Sequence, residues 1–372
     1  MQRKTGAMAI RKPLVVGMGR VGSLLALLLG ELGMQVAGVD MDKGPSIPPN
    51  VEFTSADVTD PHILARLCQG RDAVIACLPY HLILGVAQIA HAVGLHYFDL
   101  TEDMATTQAI RTLAASAGAV MIPQNGLAPG LIGMLGAYLA QQFDPGTLRH
   151  IKLRVGALPQ HPTGQLGYAV NWSPEGLIRQ YTTVCDVLVN GKRHQVPALS
   201  NPEILRLGGV TYEAFTTSGG LGTMAETYEG SVETLDYKSI RYPGHLAAMH
   251  LLLEELRFKD APGELVQRIR LALPPDEEDW VLIHASAQGN KHGALQTQAL
   301  VMEYRPIEIG HRPWTAIAWT TAASLVAVVE LVSHGTLPQR GFVKQEDIPL
   351  LAFLKTTTGH LFVEHHPALR AV

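Results

Sequence analysis

Short apolar runs alternate with longer amphipathic stretches through the first third of the chain. Apolar runs bounded by turn residues predict buried strands, and an apolar period of about 3.6 residues between them predicts helices that cover a sheet. The predicted strands are Leu14–Gly17, Gln35–Asp40, Val51–Thr54, Ala73–Leu78, His96–Leu100 and Ala119–Ile122. The predicted helices are Val21–Leu32, Pro61–Cys68, Leu82–Val93 and Met104–Ala117. This alternation predicts an α/β domain over residues 1–125 with a six-stranded, doubly wound parallel sheet.

The pattern changes after Asn125, where hairpin signals appear that a parallel sheet does not use. The clearest is Asn190-Gly191, because this dipeptide supplies the positive φ angles of a type I′ turn. The predicted hairpin strands are Val184–Val189 with Arg193–Val196, and Val281–Ala287 with Leu295–Glu303 around a turn at 289–293. With the strand run His150–Gly156 and a covering helix at His245–Arg257, these signals predict an inserted α+β substrate domain with a mixed or antiparallel sheet over residues 126–312.

The longest apolar run near the end of the chain, Trp314–Val332, is interrupted by polar residues. These are Thr315, Thr320, Thr321, Ser324 and Glu330. The interruptions favour a buried helix over a membrane span. We interpret Gly341-Phe342-Val343 as a loop before a helix at Asp347–Thr356. Residues 313–372 are therefore expected to form C-terminal helices that pack back on the first domain and complete it.

Composition excludes several protein classes. The 372 residues are 17% charged with a formal net charge of −4, which argues against disorder and against a basic nucleic-acid surface. The three cysteines lie far apart and no metal-type ligand pair appears, so we predict a cytoplasmic protein without a metal. No apolar signal segment follows Met1–Ala7, which we expect to be a loose tail. Neither a membrane nor a nucleic acid is an expected partner.

The segment Gly17-Met18-Gly19-Arg20-Val21-Gly22 follows a predicted strand and opens a predicted helix. In that setting the first glycine permits a tight turn, the second lets a pyrophosphate approach the backbone, and the third lets the helix pack closely. Asp40 closes the next strand, where a carboxylate accepts hydrogen bonds from the adenosine ribose and repels a 2′-phosphate. The sequence therefore predicts a Rossmann domain that binds NAD rather than NADP, with Arg20 beside the pyrophosphate.

Residues at the ends of the other predicted strands are expected in the same crevice, because ligands bind at the carboxyl edge of an open α/β sheet. Asp57 and Val58 follow the third strand near the expected adenine, although Asp57 is equally well a cap or turn residue. Cys77-Leu78-Pro79 closes the fourth strand beside the expected nicotinamide ribose. Leu100 and Asn125 follow the fifth and sixth strands and complete the predicted cofactor-binding set.

With these residues in hand, the chain resembles the saccharopine dehydrogenase-like family, and within it most closely the lysine 6-dehydrogenases. The segments that carry the resemblance are residues 17–22, 78–80, 98–103, 125–130, 155–159, 168 with 171–176, 217–220 and 234–245. The resemblance implies a Rossmann domain completed by C-terminal helices, a central substrate and dimerisation domain, a homodimer or higher homo-oligomer, and oxidation of an amino acid's amine. Ala157 and Trp319-Thr320-Thr321 depart from the family pattern and bear on the substrate more than on the fold.

Oxidation of an amine by NAD requires a neutral amine, so the site must hold the ammonium group and accept its proton. Glu102 and Asp103 follow the fifth predicted strand on the cofactor edge, and Tyr80 follows the fourth. We predict these three residues as catalytic, with the two acids binding the amine and accepting its proton. The alternative is that both acids only begin the helix Met104–Ala117, where acidic residues favour the helix dipole.

The carboxylate of an amino acid is best bound by a guanidinium group or by backbone and hydroxyl donors. Arg241 is the leading candidate, with a surface arginine as the alternative. The other predicted substrate-binding residues are Tyr242, His245, Ser218, Gly219, Gly220, Trp172 and Tyr168. Each of them also has a structural interpretation, the glycines as a flexible turn, the aromatic residues as core, and the histidine as a buried structural residue.

Two other functions are alternatives to the NAD-dependent oxidation of an amino acid. A reductive condensing dehydrogenase of the saccharopine or carboxynorspermidine type would bind more carboxylates and need a second cation, for which Arg154, Arg179 and Lys238 are candidates. Asp40 weighs against this reaction, because reductive biosynthesis usually uses NADP. A non-catalytic NAD-binding regulator would keep the glycine fingerprint but would need neither the matched acids nor the arginine.

Overall fold

The structure is a computed structural model that describes residues 10–44, 47–370 and 372, so the expected tail Met1–Ala7 lies outside the described residues. The chain divides into two compact units. The first extends to Gly126 and includes Thr321–His365, and the second is Leu127–Thr320 with a short segment beginning at His366. The chain thus returns to the first unit after Thr320, later than the predicted boundary at residue 312.

The secondary structure covers both units. The strands are β1 Pro13–Val16, β2 Ala37–Asp40, β3 Glu52–Ser55, β4 Ala73–Ala76, β5 His96–Asp99, β6 Val120–Ile122, β7 His150–Pro159, β8 Cys185–Val189, β9 Lys192–Val196, β10 Glu203–Leu207, β11 Val210–Thr216, β12 Thr234–Arg241, β13 Asp279–Lys291, β14 Ala294–Tyr304, β15 Ile307–Ile309, β16 Arg312–Trp314 and β17 Gly341–Phe342. The helices are α1 Arg20–Glu31, α2 Pro61–Leu67, α3 Tyr80–Val93, α4 Met104–Ala114, α5 Leu131–Ala140, α6 Pro174–Thr182, α7 Met224–Tyr228, α8 His245–His250, α9 Pro262–Ala272, α10 Ala316–Ser333, α11 Leu350–Phe353 and α12 His360–His365.

The first unit is built on a seven-stranded sheet in the order β17-β6-β5-β4-β1-β2-β3, with every pair parallel. The predicted doubly wound sheet is confirmed, and its strand order reverses between β1 and β4. The interpretation of Gly341-Phe342 as loop was wrong, because these residues pair in parallel with Val120 and Met121. Two residues are too few to show a strand pattern, so the neighbouring strand decides this pairing.

The C-terminal segment of the first unit differs from the prediction in detail. The helix expected at Asp347–Thr356 is a short 3-10 turn at Gln345–Asp347 followed by the single turn of α11. Helix α10 is long and apolar enough to cross a membrane, and 89% of it is buried inside the structure, as in the core helix of a folded protein. Glu330 within α10 is buried and accepts hydrogen bonds from the backbone N–H groups of Thr357 and Thr358, both at 2.9 Å.

The second unit contains a mixed eight-stranded sheet in the order β10-β11-β12-β7-β13-β14, with β8 on β12 and β9 on β8. Only β7 and β12 pair in parallel within it, which confirms the predicted mixed sheet. The first hairpin turns at Asn190 (φ 52°) and Gly191 (φ 76°), as predicted. The second turns over only His292 (φ 54°) and Gly293 (φ 78°), so the five-residue turn predicted at 289–293 was wrong.

Helices α6, α8 and α9 pack against this sheet through one apolar cluster. The cluster includes Leu158, Tyr181, Phe215, Met249 and Ile269. The helix predicted at His245–Arg257 begins at His245 as expected but passes into a π-helical turn at Leu251–Glu255. The packing brings α6, α8 and β12 together, and two of the candidate substrate residues, Arg241 on β12 and His245 on α8, lie on these elements.

Candidate functional site

The glycine loop joins β1 to α1, and its three glycines have different surroundings. Gly17 has a φ of 94°, and a Cβ atom on it would overlap the carbonyl group of Cys77. A Cβ atom on Gly22 would overlap the carbonyl oxygen of Gly17. A Cβ atom on Gly19 would meet no described heavy atom within 4 Å. The fold therefore requires glycine at 17 and 22, whereas the open space at Gly19, beside the N-terminal turn formed by Arg20 and Val21, fits an approaching pyrophosphate.

Asp40 at the end of β2 faces this glycine loop. Its Oδ2 atom accepts a hydrogen bond from the N–H of Met18 and its Oδ1 atom one from the N–H of Met41, each at 2.7 Å. A carboxylate has about four acceptor positions, so both oxygens can accept further hydrogen bonds. The loop and this carboxylate thus fit the pyrophosphate and ribose of a nicotinamide dinucleotide.

The residues after β3 and β4 have mainly local contacts. Asp57 is exposed, and its Oδ1 atom accepts hydrogen bonds from the N–H (2.9 Å) and the hydroxyl (2.7 Å) of Thr59. These contacts are those of a turn residue, the alternative that the sequence offered for Asp57. Val58 and Leu78 pack against the apolar core of the first unit. The N–H of Cys77 donates to Val16 at 2.7 Å, and Pro79 precedes the first turn of α3. Their roles in cofactor binding stay predictions.

A buried carboxylate that sequence reasoning missed joins the ends of β5 and β6. Asp99 is fully buried and accepts hydrogen bonds from the hydroxyl of Tyr97 (2.9 Å) and the N–H groups of Thr101 (2.9 Å) and Gln124 (3.1 Å). Burial raises the pKa of Asp99 to about 6. Its position directly before Leu100 at a strand end was the available signal, but the sequence shows nothing of the Tyr97 contact.

The predicted cofactor residue Asn125 belongs to the same network. Its N–H donates to the carbonyl oxygen of Asp99 at 3.0 Å, and its side-chain amide donates to the carbonyl oxygen of Ile122. Its Oδ1 atom is buried and has no partner among the described residues. The network fixes the two strand ends at the edge where the crevice of a doubly wound sheet lies.

The three predicted catalytic residues lie at helix starts of the first unit. Asp103 caps α4, because its Oδ2 atom accepts from the N–H (2.8 Å) and the hydroxyl (2.7 Å) of Thr106. Asp103 therefore has the helix-starting role that the sequence offered as the alternative to catalysis. Glu102 precedes the cap and is half-buried, and Tyr80 is the first residue of α3.

In the second unit, three elements converge on Arg241. This arginine ends β12, Tyr181 lies on α6, and His245 begins α8 after Gly244, whose φ of 101° requires glycine. The Nε atom of Arg241 donates to the Tyr181 hydroxyl at 2.8 Å, and its Nη1 atom donates to the carbonyl oxygen of Ile240 at 2.8 Å. The guanidinium carbon lies 4.7 Å from the centre of the Tyr168 ring. We call Tyr168, Tyr181, Arg241 and His245 the Arg241 cluster.

Arg241 is a buried cation without an acidic partner. Its exposed fraction is 4%, and no carboxylate in the described part of the chain forms an ion pair with it. A guanidinium group stays charged in a protein, and an unpaired buried charge is costly unless an anion compensates it. The arrangement is therefore suited to binding an anion, and a carboxylate matches the geometry of the guanidinium fork.

Of the remaining predicted substrate residues, some contact the Arg241 cluster and others form hydrogen bonds elsewhere. The indole N–H of Trp172 donates to the Tyr168 hydroxyl at 2.8 Å, which connects Trp172 to the cluster. The hydroxyl of Tyr242 donates to the carbonyl oxygen of Pro159 at 2.9 Å, so its hydrogen is not directed at the Arg241 cluster. The N–H of Ser218 donates to the carbonyl oxygen of Gln180 at 3.1 Å. Gly219 has a φ of 86°, and Gly220 lacks a side chain because the Tyr237 ring fills that space.

Of the three cations considered as a second carboxylate site, Arg154 and Lys238 are buried and already paired with carboxylates. Arg154 forms ion pairs with Glu203 and, at 3.0 Å, with Asp236. Lys238 lies 3.2 Å from Glu203 and 3.8 Å from Asp236. Two cations and two carboxylates thus form a closed network in the second unit. Within the described ranges, no cluster of three or more His, Cys, Asp or Glu residues could hold a metal ion.

The doubly wound sheet with its glycine loop defines the first unit as a dinucleotide-binding domain, and comparisons with known proteins agree. Residues 14–122 match the profile of the saccharopine dehydrogenase NADP binding domain, and residues 126–359 match that of the saccharopine dehydrogenase C-terminal domain. The chain therefore belongs to the saccharopine dehydrogenase family, as the sequence resemblance implied. It is an oxidoreductase of amino-acid dehydrogenase type with a nicotinamide cofactor.

Two solved structures are similar to this chain to different degrees. The apo saccharopine dehydrogenase (L-Glu forming) of Saccharomyces cerevisiae matches with a TM-score of 0.71 at 16% identity, over 93% of this chain and 97% of that one. The DAP dehydrogenase of C. glutamicum in complex with DAP matches with a TM-score of 0.49 at 12% identity, over 96% and 99% of the two chains. The first of these likenesses supports the fold at full length.

Proposed function

We propose that this protein catalyses the NAD-dependent oxidative deamination of an amino acid, with L-lysine as substrate and its 6-amino group as the reacting amine. The observation that carries the proposal is Arg241, a buried guanidinium group without a carboxylate partner in the described chain. A substrate with one carboxylate supplies the missing anion. Family membership supplies the reaction class, and the lysine 6-dehydrogenase resemblance of the sequence supplies the particular substrate.

Asp40 supports NAD as the cofactor. Its carboxylate lies against the glycine loop through Met18, at the place where an acidic residue accepts hydrogen bonds from the ribose hydroxyls. A 2′-phosphate would meet this negative charge. The matched family profile is described as NADP binding, so the proposal of NAD depends on this residue of the chain.

Residues of the chain bind the substrate and accept its proton. NAD, when bound, supplies the acceptor for the hydride that leaves the amine-bearing carbon. Arg241 binds the substrate carboxylate, and Tyr168 forms part of the wall beside it. Glu102 and Asp103 are both candidates for the proton acceptor, and the carboxylate of Asp103 also caps α4 through two hydrogen bonds from Thr106.

The ion pairs of Arg154 and Lys238, two of the three cations considered for it, weigh against the condensing reaction as the main activity. That reaction joins two carboxylated molecules and therefore needs cations beyond Arg241. Arg154 and Lys238 are already paired with Glu203 and Asp236, which leaves less positive charge for another carboxylate. A single-carboxylate substrate therefore fits the second unit better.

The test is a steady-state assay of NAD and NADP reduction with a panel of amino acids that includes L-lysine. The proposal predicts reduction of NAD with L-lysine. Activity only in the reductive direction, with a keto acid or an aldehyde acid plus an amino acid, would identify the condensing reaction instead. Cofactor binding without turnover in either direction would indicate a non-catalytic regulator.

A further inference from the structure

The Arg241 cluster contains a chain of hydrogen bonds that runs from the guanidinium group to the protein backbone. The Nε atom of Arg241 donates to the hydroxyl of Tyr181 at 2.8 Å. The same hydroxyl lies 3.1 Å from Nε2 of His245, and Nδ1 of His245 lies 2.8 Å from the carbonyl oxygen of Leu166. All three side chains are buried, with exposed fractions of 4%, 3% and 1% in the order Arg241, Tyr181 and His245.

The direction of every hydrogen bond in this chain follows from its last member. A carbonyl oxygen only accepts, so Nδ1 of His245 must carry the hydrogen that is donated to Leu166. A neutral imidazole then has Nε2 as an acceptor, and the Tyr181 hydroxyl donates to it. With its hydrogen directed at His245, the Tyr181 oxygen presents its lone pairs to the Nε–H of Arg241. The backbone at Leu166 thereby fixes the orientation of the guanidinium group.

The histidine in this chain stays neutral. Burial, and secondarily the positive charge of Arg241, lower the pKa of His245 to about 3. Its ring is stacked on Phe215, at 6.2 Å between centroids and 15° between planes. Burial also raises the pKa of Tyr181 above its usual range, so its hydroxyl keeps the proton. Both partners that orient Arg241 are therefore uncharged and do not neutralise it.

We propose that Tyr181 and His245 are positioning residues that hold Arg241 for a substrate carboxylate and so determine the selection of carboxylated amines. Tyr181 occupies Nε and Ile240 occupies one hydrogen of Nη1, which leaves the Nη2 end of the fork for an anion. This inference rests on the proposed function, because the anion it selects is the carboxylate of the amino acid to be oxidised. An acid in place of Tyr181 would orient the arginine equally well but would cancel the charge that the substrate needs.

The experiment compares L-lysine with 1,5-diaminopentane, which is the same molecule without its carboxylate. The ratio of the two kcat/KM values measures carboxylate selection. Tyr181→Phe removes the oxygen that accepts from Arg241, and we expect this ratio to fall about 10- to 100-fold. A residue with a purely structural role would lower both values together and leave the ratio unchanged.

His245 provides a matched pair of variants. The amide of a glutamine side chain reaches the position of Nε2, so His245→Gln keeps an acceptor for the Tyr181 hydroxyl and is expected to retain most of the selection. An asparagine amide reaches only the position of Nδ1, so His245→Asn keeps the contact with Leu166, loses that acceptor, and is expected to lower the ratio as Tyr181→Phe does. Melting temperatures of the three variants report whether each one folds.

Calorimetric binding of L-lysine and 1,5-diaminopentane without cofactor separates this inference from the proposed function. Tighter binding of L-lysine by the unmodified protein, weakened in Tyr181→Phe and His245→Asn but not in His245→Gln, supports the positioning role even where no turnover occurs. Equal affinity for the two ligands in the unmodified protein, or an unchanged affinity ratio in Tyr181→Phe, would overturn it. Absence of turnover with every amino acid would instead contradict the proposed function.

Discussion

Gly22 in the first turn of α1 lies against the carbonyl oxygen of Gly17, so closely that a side chain at 22 would overlap that oxygen. Gly19, between them, faces open space within the described structure. A substitution at Gly22 therefore affects folding, whereas a substitution at Gly19 affects cofactor binding. A methyl group at 22 must displace backbone, whereas a methyl group at 19 meets only a ligand.

We predict that Gly19→Ala mainly weakens NAD binding, whereas Gly22→Ala mainly lowers stability. Gly19→Ala should change the free energy of unfolding by less than about 1 kcal/mol, since its φ of −67° suits alanine. It should weaken NAD binding about 10-fold or more, because the added methyl group occupies space meant for the pyrophosphate. Gly22→Ala should lower the free energy of unfolding by about 1–3 kcal/mol or more. Thermal melting and NAD titration measure both, and undiminished NAD affinity in Gly19→Ala would contradict the assigned site.

Asp40 should determine the choice between NAD and NADP. Asp40→Asn keeps the shape of the side chain but removes the charge that repels a 2′-phosphate, so the ratio of NAD to NADP affinity should fall about 10-fold. Asp42→Asn is the matched control, because it removes an exposed acid two residues further on. Tighter binding of NADP than of NAD by the unmodified protein would show that this carboxylate does not play the proposed part.

The buried Asp99 predicts a pH dependence of stability. Its folded-state pKa of about 6 lies above the ordinary value of 3.8, so the folded chain holds this proton more tightly than the unfolded chain does. The resulting stabilisation is complete below about pH 3.8 and is lost as the pH rises to about 6. A shift of this size corresponds to about 3 kcal/mol.

Asp99→Asn tests that dependence, because an amide oxygen still accepts from the N–H groups of Thr101 and Gln124 but does not titrate. The free energy of unfolding of the variant, relative to the unmodified protein, should rise between pH 4 and 6. Denaturant titrations across this range give the difference. A difference that is constant with pH would mean that Asp99 titrates outside this window.

Glu330 should anchor the loop after α11 to α10. Glu330→Ala leaves two backbone N–H groups, those of Thr357 and Thr358, without their acceptor, and we expect a loss of about 2–5 kcal/mol in the free energy of unfolding. Glu330→Gln keeps one acceptor oxygen and should lose less. Equal melting temperatures for Glu330→Ala and the unmodified protein would contradict this role.

The first unit could be predicted largely from the sequence because its signals are local. Buried strands such as Ala73–Ala76 are continuous apolar runs. Gly341-Phe342 could not be found, because two residues carry no period and only β6 makes them a strand. The second hairpin was placed correctly, but its turn was predicted to be too long. His292 adopts a positive φ, which its residue type does not indicate.

The candidate site was predictable only where the chemistry of one residue indicated a role. Arg241 was predicted to bind a carboxylate from its residue type and neighbours, and its burial without an acidic partner in the described chain supports that prediction. Tyr181 was missed. On α6 it follows the buried residues Leu177 and Ile178 and has the spacing of an ordinary core aromatic residue. Its hydrogen bond to a residue sixty positions away depends on tertiary packing, which no local pattern reports.

The role of Arg241 in amino-acid oxidation is tested by the rate of NAD reduction with L-lysine by the unmodified protein and by Arg241→Lys. A lysine side chain keeps the charge but cannot contact Tyr181, the carbonyl oxygen of Ile240 and a carboxylate together. We expect turnover by the unmodified protein and a loss of about 100-fold or more in kcat/KM in the variant, mainly through a higher KM. No turnover of any amino acid by the unmodified protein, or an unchanged kcat/KM in Arg241→Lys, would contradict this role.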